Sequence, residues 1–239
     1  ISILISLPFY LSNYQVTFIN SLFESISGIT GTGFSIFENI KYLDPTLIIW
    51  RSSSQWIGGL YFLFFLILIF SNKQFNYKMN DLTFSGDGSI NSENNIKDLL
   101  LKIFIIYSLL SFLIFLLLNI SEIRLFNSLN LSMSLISTGG FLPTDGLSKI
   151  IQSNSQKFVF IFSLIVSMLN FFLVFNLFEK KIINREHKED LYLIILTIIL
   201  ILLIYFNNNG GLNLTISVLS SLSNSGLSLI NSENSLSLY

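Results

Sequence analysis

The sequence has 239 residues, of which 51% are hydrophobic and only 11% charged, with a net charge of -1 and no cysteine. Soluble domains carry roughly 25% charged residues, so this composition excludes an ordinary water-soluble domain and points to a chain that lives in lipid. The near-zero charge offers no attraction to nucleic acid, the missing thiols exclude disulfides and thiolate metal sites, and a single histidine, His187, makes a histidine-based metal site unsupported.

Taken in chain order, the elements alternate between long and short apolar runs. Ile1–Leu11 is shorter than the ~20 residues a spanning helix needs. It has neither a basic start nor a small-residue cleavage site, so it reads as the end of a helix beginning upstream, not as a signal peptide. Phe18–Ile29 is too short to span and too apolar for a loop. Asp44-Pro45, a capping residue and a first-turn proline, opens the first candidate span, Thr46–Phe70. The polar segment Asn72–Lys97 separates it from the second span, Leu99–Ile120. A second short run, Leu125–Ile136, precedes the third span, Phe158–Phe178. The charged segment Glu179–Asp190 leads to the fourth, Leu191–Phe206, which is followed by a third short run, Leu212–Leu222.

Each short run ends in a similar segment: Ser27-Gly-Ile-Thr-Gly-Thr-Gly-Phe-Ser35, Ser134-Leu-Ile-Ser-Thr-Gly-Gly-Phe-Leu142 and Ser220-Ser-Leu-Ser-Asn-Ser-Gly-Leu-Ser228. The aligned glycines, Gly33, Gly140 and Gly226, lie 107 and 86 residues apart, the signature of one structural unit repeated. Irregular backbone at membrane depth must be buried in protein or line a water-filled path. The expected fold is therefore an all-α integral membrane protein of repeated helix–pore-helix–helix units with re-entrant glycine filter loops. Residues 1–72 form the first unit with its first helix truncated, 98–180 the second, and 191–239 a third whose second helix is missing. Loops 73–97 and 181–190 separate them, both chain ends read as cut, and a fourth unit is absent. Eight of the 13 Lys and Arg residues flank those two loops, which places them in the cytoplasm and the glycine loops outside.

The loops suit a cation path. A cation entering a membrane must exchange hydration water for other oxygens, and backbone carbonyls can supply them without a charged side chain. Turning carbonyls toward an axis demands positive φ or close backbone approach, which glycine permits. A preceding half-helix aims its partly negative C-terminal end at the ion. Thr30, Thr32, Ser137, Thr138, Ser223 and Ser225 add hydroxyls, and Phe34, Phe141 and Leu227 are expected to pack the loops against the surrounding helices. A lone small-residue motif serves helix packing as often as ion passage, but three copies at one place in a repeated unit favour the path.

The segments Phe23–Phe34, Trp50-Arg-Ser-Ser-Ser-Gln-Trp-Ile-Gly-Gly-Leu60, Ile136–Phe141 and Asn170-Phe171 resemble the first pore loop, the helix after it, the second filter and a later Asn-Phe pair of the Trk/Ktr/HKT potassium transporters. The third loop is the loosest match. The resemblance implies four helix–pore–helix units around one path, with Gly33, Gly140 and Gly226 as three of four filter glycines. It implies carbonyl ligands to K⁺ from Thr30, Gly31 and Thr32, from Ser137, Thr138 and Gly139, and from Ser223, Asn224 and Ser225. Glycine at the first filter resembles the potassium-selective members, whereas serine marks some sodium-conducting ones. The resemblance further implies multi-pass insertion in the cytoplasmic (inner) membrane, a homodimer, and a cytoplasmic nucleotide-binding regulatory subunit docked on loops such as Asn72–Lys97, with no cofactor and no enzymatic chemistry.

Remaining features are weighed individually. Glu24 faces either an ion vestibule or a cap or packing partner. Arg51 and Trp56 are expected to anchor a helix at the membrane interface, and Gly58-Gly59 to allow close helix approach. Asp87-Gly-Ser-Ile90 echoes a calcium loop but lacks its first acidic ligands, so a polar loop is the expectation. His187 is expected to be solvated. Alternative readings are a Na⁺-permeable or non-conducting truncated member of the same family, or a secondary transporter with broken helices, although the three motifs run in one sense and not as an inverted repeat. A membrane-embedded enzyme would need an acid pair, a Ser/His pair or a metal cluster in the spans, and the apolar runs hold none.

Overall fold

The computed structural model describes residues 1–70, 93–168, 188–207 and 211–229. Regular structure among them is helical throughout, with eight α-helices. The first unit comprises α1 (Ser2–Tyr10), the short α2 (Phe18–Thr30) and α3 (Pro45–Phe70). The second comprises α4 (Glu93–Ile120), the short α5 (Leu125–Ile136) and α6 (Asn154–Met168). The third holds α7 (Lys188–Asn207) and the short α8 (Leu212–Leu222).

The short helices fall where the sequence pattern puts them. Thr17 caps α2 by accepting a 3.3 Å hydrogen bond from the Asn20 amide. At 13, 12 and 11 residues, α2, α5 and α8 reach at most about 20 Å at 1.5 Å per residue, short of the bilayer's apolar thickness. The long helices differ modestly from expectation. α4 begins at Glu93, so part of the segment expected as loop is already helical. No glycine or proline interrupts residues 93–99. The Asn170-Phe171 pair, the end of the predicted Phe158–Phe178 span, Asp87–Ile90 and His187 lie outside the described residues.

α3 and α4 are the two described helices long and apolar enough to cross a membrane, and only 28% and 33% of their apolar windows are buried. Phe62, Phe65, Phe104, Ile105, Leu109 and Phe112 stay exposed on them, which suits contact with lipid chains and not with water.

The packing repeats along the chain. Within a unit, α1, α2 and α3 touch one another, as do α4, α5 and α6. Between units, α3 packs on α5 and α6 packs on α8, so each unit's closing helix backs the next unit's short helix. The largest core cluster joins the second and third units through Leu131, Leu135, Phe160, Leu164, Ile216 and Leu219. A smaller one, Ile67, Ile103, Ile106 and Leu110, joins α3 to α4.

Candidate functional site

The three short helices end in one and the same way. After α2, the amides of Gly31 and Thr32 donate to the carbonyls of Gly28 and Ser27. After α5, Thr138 and Gly139 donate to Leu135 and Ser134. After α8, Asn224 and Ser225 donate to Ser221 and Ser220. This pair of bonds is the Schellman closure, which needs a left-handed residue. That residue is Gly31 (φ 67°), Thr138 (φ 53°) and Asn224 (φ 58°) in turn. Two positions on, Gly33, Gly140 and Gly226 are left-handed again, at φ 78°, 78° and 65°. Asparagine tolerates this region, but a β-branched threonine there carries about 1–3 kcal/mol of strain, a cost that persists where surrounding structure dictates the backbone.

After α2 the chain then doubles back beside its own short helix. Ser27 Oγ donates to the Phe34 carbonyl at 2.6 Å, and the Glu24 carboxylate accepts from the Ile36 amide at 2.9 Å and from Ser35 Oγ at 3.0 Å.

The loops abut in sequence order. A Cβ added at Gly33 would collide with the Gly139 carbonyl, and one added at Gly140 would collide with the Ser225 carbonyl. The Gly31 Cβ position lies 3.5 Å from the Ser137 carbonyl. The first loop thus lies against the second, and the second against the third. At Gly226 nothing described stands within 4 Å. The side chain after each glycine follows the same order: Phe141 (2% exposed) lies 3.5 Å from the Gly28 Cβ position in the first unit, and Leu227 (2%) joins the core of the second. Phe34, expected to pack like them, is 69% exposed because no described unit precedes the first.

The hydroxyls turn back onto the helix ends. Thr30 Oγ1 donates to the Ile26 carbonyl at 2.8 Å and pairs with Thr32 Oγ1 at 2.6 Å. Ser137 Oγ donates to Met133 at 2.8 Å. Ser223 Oγ pairs with Ser225 Oγ at 2.9 Å, and Ser225 Oγ with Ser220 Oγ at 3.1 Å. A cavity beside the first two loops is lined by Thr30, Gly31, Ser137 and Thr138, together with Tyr61, Phe62 and Phe65 of α3.

α3 holds this assembly from behind, and here two expectations are corrected. Arg51 is no interface anchor. It is 1% exposed, and its Nε donates to Glu24 Oε1 (0% exposed) at 2.7 Å. Its Nη2 donates to Ser35 Oγ at 3.0 Å, its Nη1 to the Leu142 carbonyl at 3.4 Å, and its guanidinium lies 4.3 Å from the centroid of Phe141. Glu24 therefore takes the packing role and not the vestibule. Trp56 also faces inward: Nε1 donates to Ser111 Oγ at 2.8 Å, tying α3 to α4. Arg51 is buried and Trp56 half-buried because their partners lie on other elements, which hydropathy along the helix does not reveal. Gly58 and Gly59 do permit close approach. A Cβ at Gly58 would overlap Ile29 backbone atoms, and one at Gly59 would stand 3.1 Å from Ser137 Cβ.

One α3 residue was not among the expected site residues. Gln55 is fully buried; its Nε2 donates to the Gly139 carbonyl and its Oε1 accepts from the Phe141 amide at 3.2 Å. In the sequence it closes the polar stretch Arg51-Ser-Ser-Ser-Gln55 near the start of an otherwise apolar span. Among the described residues no group of His, Cys, Asp or Glu is arranged to hold a metal ion. Outside the spans, Asp145 accepts from Lys149 Nζ at 2.8 Å and from the Lys41 amide at 3.0 Å, joining the segments that follow the first two loops. The Lys149 hydrogen bond, then the Lys41 amide, hold the Asp145 carboxyl below its ordinary range.

Residues 2–207 match the family model TrkH, described as a cation transport protein. An uncharacterized cation transporter of Methanocaldococcus jannaschii is 29% identical over 153 residues, covering 61% of this chain and 32% of that protein. The Trk system potassium uptake protein TrkI of Halomonas elongata is 43% identical over 60 residues, 25% of this chain and 12% of its own length. The crystal structure of the potassium transporter TrkH from Vibrio parahaemolyticus shares the fold, with a TM-score of 0.73 at 19% identity over 95% of this chain and 49% of that one. The chain thus spans a third or less of these curated relatives and about half of the solved structure.

Proposed function

The chain belongs to the TrkH family of cation transport proteins, and on that premise we propose that it forms part of a potassium uptake transporter. K⁺ passes between the three loops as re-entrant filter segments, Thr30–Gly33, Ser137–Gly140 and Ser223–Gly226, with backbone carbonyls replacing hydration water. The observation that carries this reading is the shared backbone: three loops with the same Schellman closure and the same two left-handed positions, laid one against the next. Helices that close identically and then turn back supply equivalent carbonyls at equivalent depth, which a ring of ion ligands requires. Gly226, with nothing among the described residues within 4 Å of its Cβ position, and the exposed Phe34 fit a further loop standing between the third and the first. The proposal includes a homodimer in the cytoplasmic membrane, regulated by a cytoplasmic nucleotide-binding subunit.

The test is uptake by the full-length protein in cells stripped of their own K⁺ systems. Growth at low external K⁺, lost with Gly140→Ala, is expected. Uptake of Na⁺ without K⁺, or growth indifferent to that substitution at normal membrane levels, would overturn the potassium-filter reading.

A further inference from the structure

The residue before each filter glycine is Thr32 in the first loop, Gly139 in the second and Ser225 in the third. In the first and third loops it carries a hydroxyl bonded inside its own loop, to Thr30 in one case and to Ser220 and Ser223 in the other. The second loop has no side chain at this position. Its φ lies outside the left-handed region, so the backbone does not call for glycine there. What stands in the way of a side chain there is Gln55: a Cβ at 139 would fall within 2.7 Å of the carboxamide carbon, nitrogen and oxygen, so the tip of Gln55 would have to move off its two hydrogen bonds to admit one. The tip of Gln55 occupies the volume that a side chain at 139 would fill. A second observation bears on it. Ser134 Oγ, aligned with Ser220, is buried and has no hydrogen-bond partner among the described residues, whereas in the third loop the Ser225 hydroxyl fills that place.

We infer that Gln55 is a positioning residue: from α3 it supplies the side-chain contact that the second loop lacks, and so sets how that loop presents its carbonyls to the cation. Its two hydrogen bonds grip the Gly139 carbonyl and the Phe141 amide on either side of Gly140. Fixing those two groups fixes the peptide planes around Gly140, whose conformation seats the second loop against the Ser225 carbonyl. The Phe141 amide, which can only donate, fixes which end of the carboxamide faces it, so the nitrogen is left to back the Gly139 carbonyl. That carbonyl keeps a second lone pair for another partner. The selectivity part of the inference rests on the transport reading above; the clamp itself does not.

The experiment uses the full-length protein in proteoliposomes, with K⁺ and Na⁺ influx and thermal melting measured on the same preparations. Gln55→Met keeps the volume and removes both hydrogen bonds. It is expected to lower K⁺ preference over Na⁺ about tenfold, the change that 1.4 kcal/mol of lost discrimination produces. Gly139→Ser alone is expected to melt early, because its Cβ meets Gln55. The double variant Gln55→Ala with Gly139→Ser is expected to melt later than Gly139→Ser and to regain K⁺ preference over Gln55→Met, since the new hydroxyl can reach Ser134 and Ser137 as Ser225 reaches Ser220 and Ser223. An unchanged K⁺/Na⁺ ratio in Gln55→Met, or strictly additive melting shifts against the Gln55→Ala single variant, overturns the inference. If the unsubstituted protein admits neither cation, the transport reading fails, and the melting cycle alone upholds or rejects the clamp.

Discussion

The pair Glu24–Arg51 allows a quantitative test of whether α3 holds the loops. Arg51→Met preserves most of the length and apolar stem and deletes the guanidinium. It removes the 2.7 Å bond to Glu24, the 3.0 Å bond to Ser35 Oγ, the 3.4 Å bond to the Leu142 carbonyl and the stacking on Phe141. The Glu24 carboxylate, with no exposed surface, then keeps only the Ser35 hydroxyl and the Ile36 amide. Breaking one side of a buried pair costs about 3–5 kcal/mol, because an uncompensated charge stays behind. For a chain of this size each kcal/mol moves the melting temperature by about 2–4 °C, so a drop of about 10 °C is expected. In the double variant Glu24→Gln with Arg51→Met no charge is stranded, and the oxygen of the new carboxamide can still accept from the Ile36 amide. The double variant should therefore melt well above the sum of the two single shifts. Melting of purified protein in detergent, followed by loss of monodisperse material, gives all four corners of the cycle. A drop under about 3 °C for Arg51→Met, as an exposed ion pair would give, or additive shifts, refutes the buried-clamp argument.

Other consequences are open to measurement. Gly33→Ser should lower both stability and K⁺/Na⁺ preference, because the residue sits at φ 78° and its Cβ meets the Gly139 carbonyl; an unchanged influx ratio at normal expression would remove Gly33 from the filter. With glycine loops outside, Ser148→Cys should react with an impermeant thiol reagent added to intact cells and Lys97→Cys should not, in a chain with no cysteine of its own; the reverse pattern inverts the topology. The Asp145 carboxyl is held below its ordinary value, so its contribution to stability is present above the unfolded pKa, near 4, and is lost as pH falls below that toward the folded pKa. Asp145→Asn should flatten this acid limb of the melting curve, and high salt should weaken it, since the partner Lys149 is exposed.

Much of the architecture is a local property of the chain and was legible in it. Phe18–Ile29, Leu125–Ile136 and Leu212–Leu222 were recognisable as half-helices from length and hydropathy alone, and α5 and α8 have those bounds. The alignment of Gly33, Gly140 and Gly226 followed from repetition, which needs no coordinates, and the shared left-handed geometry follows from it. The left-handed conformation of Thr138 was not legible, because local preference opposes it and the Schellman closure imposes it. Arg51 and Gln55 were misread or passed over for a related reason. Their partners lie 27 and 84 residues away in sequence. A polar residue in an apolar helix shows that some partner must exist, since a buried donor left unpaired is costly. Only the packing of α3 against α2 and the second loop decides which partner it is. The sequence therefore determined the repeated unit and its likeness to a transporter family, through periodicity and motif. Tertiary structure decided how the units brace one another, because those contacts are long-range and leave no local pattern.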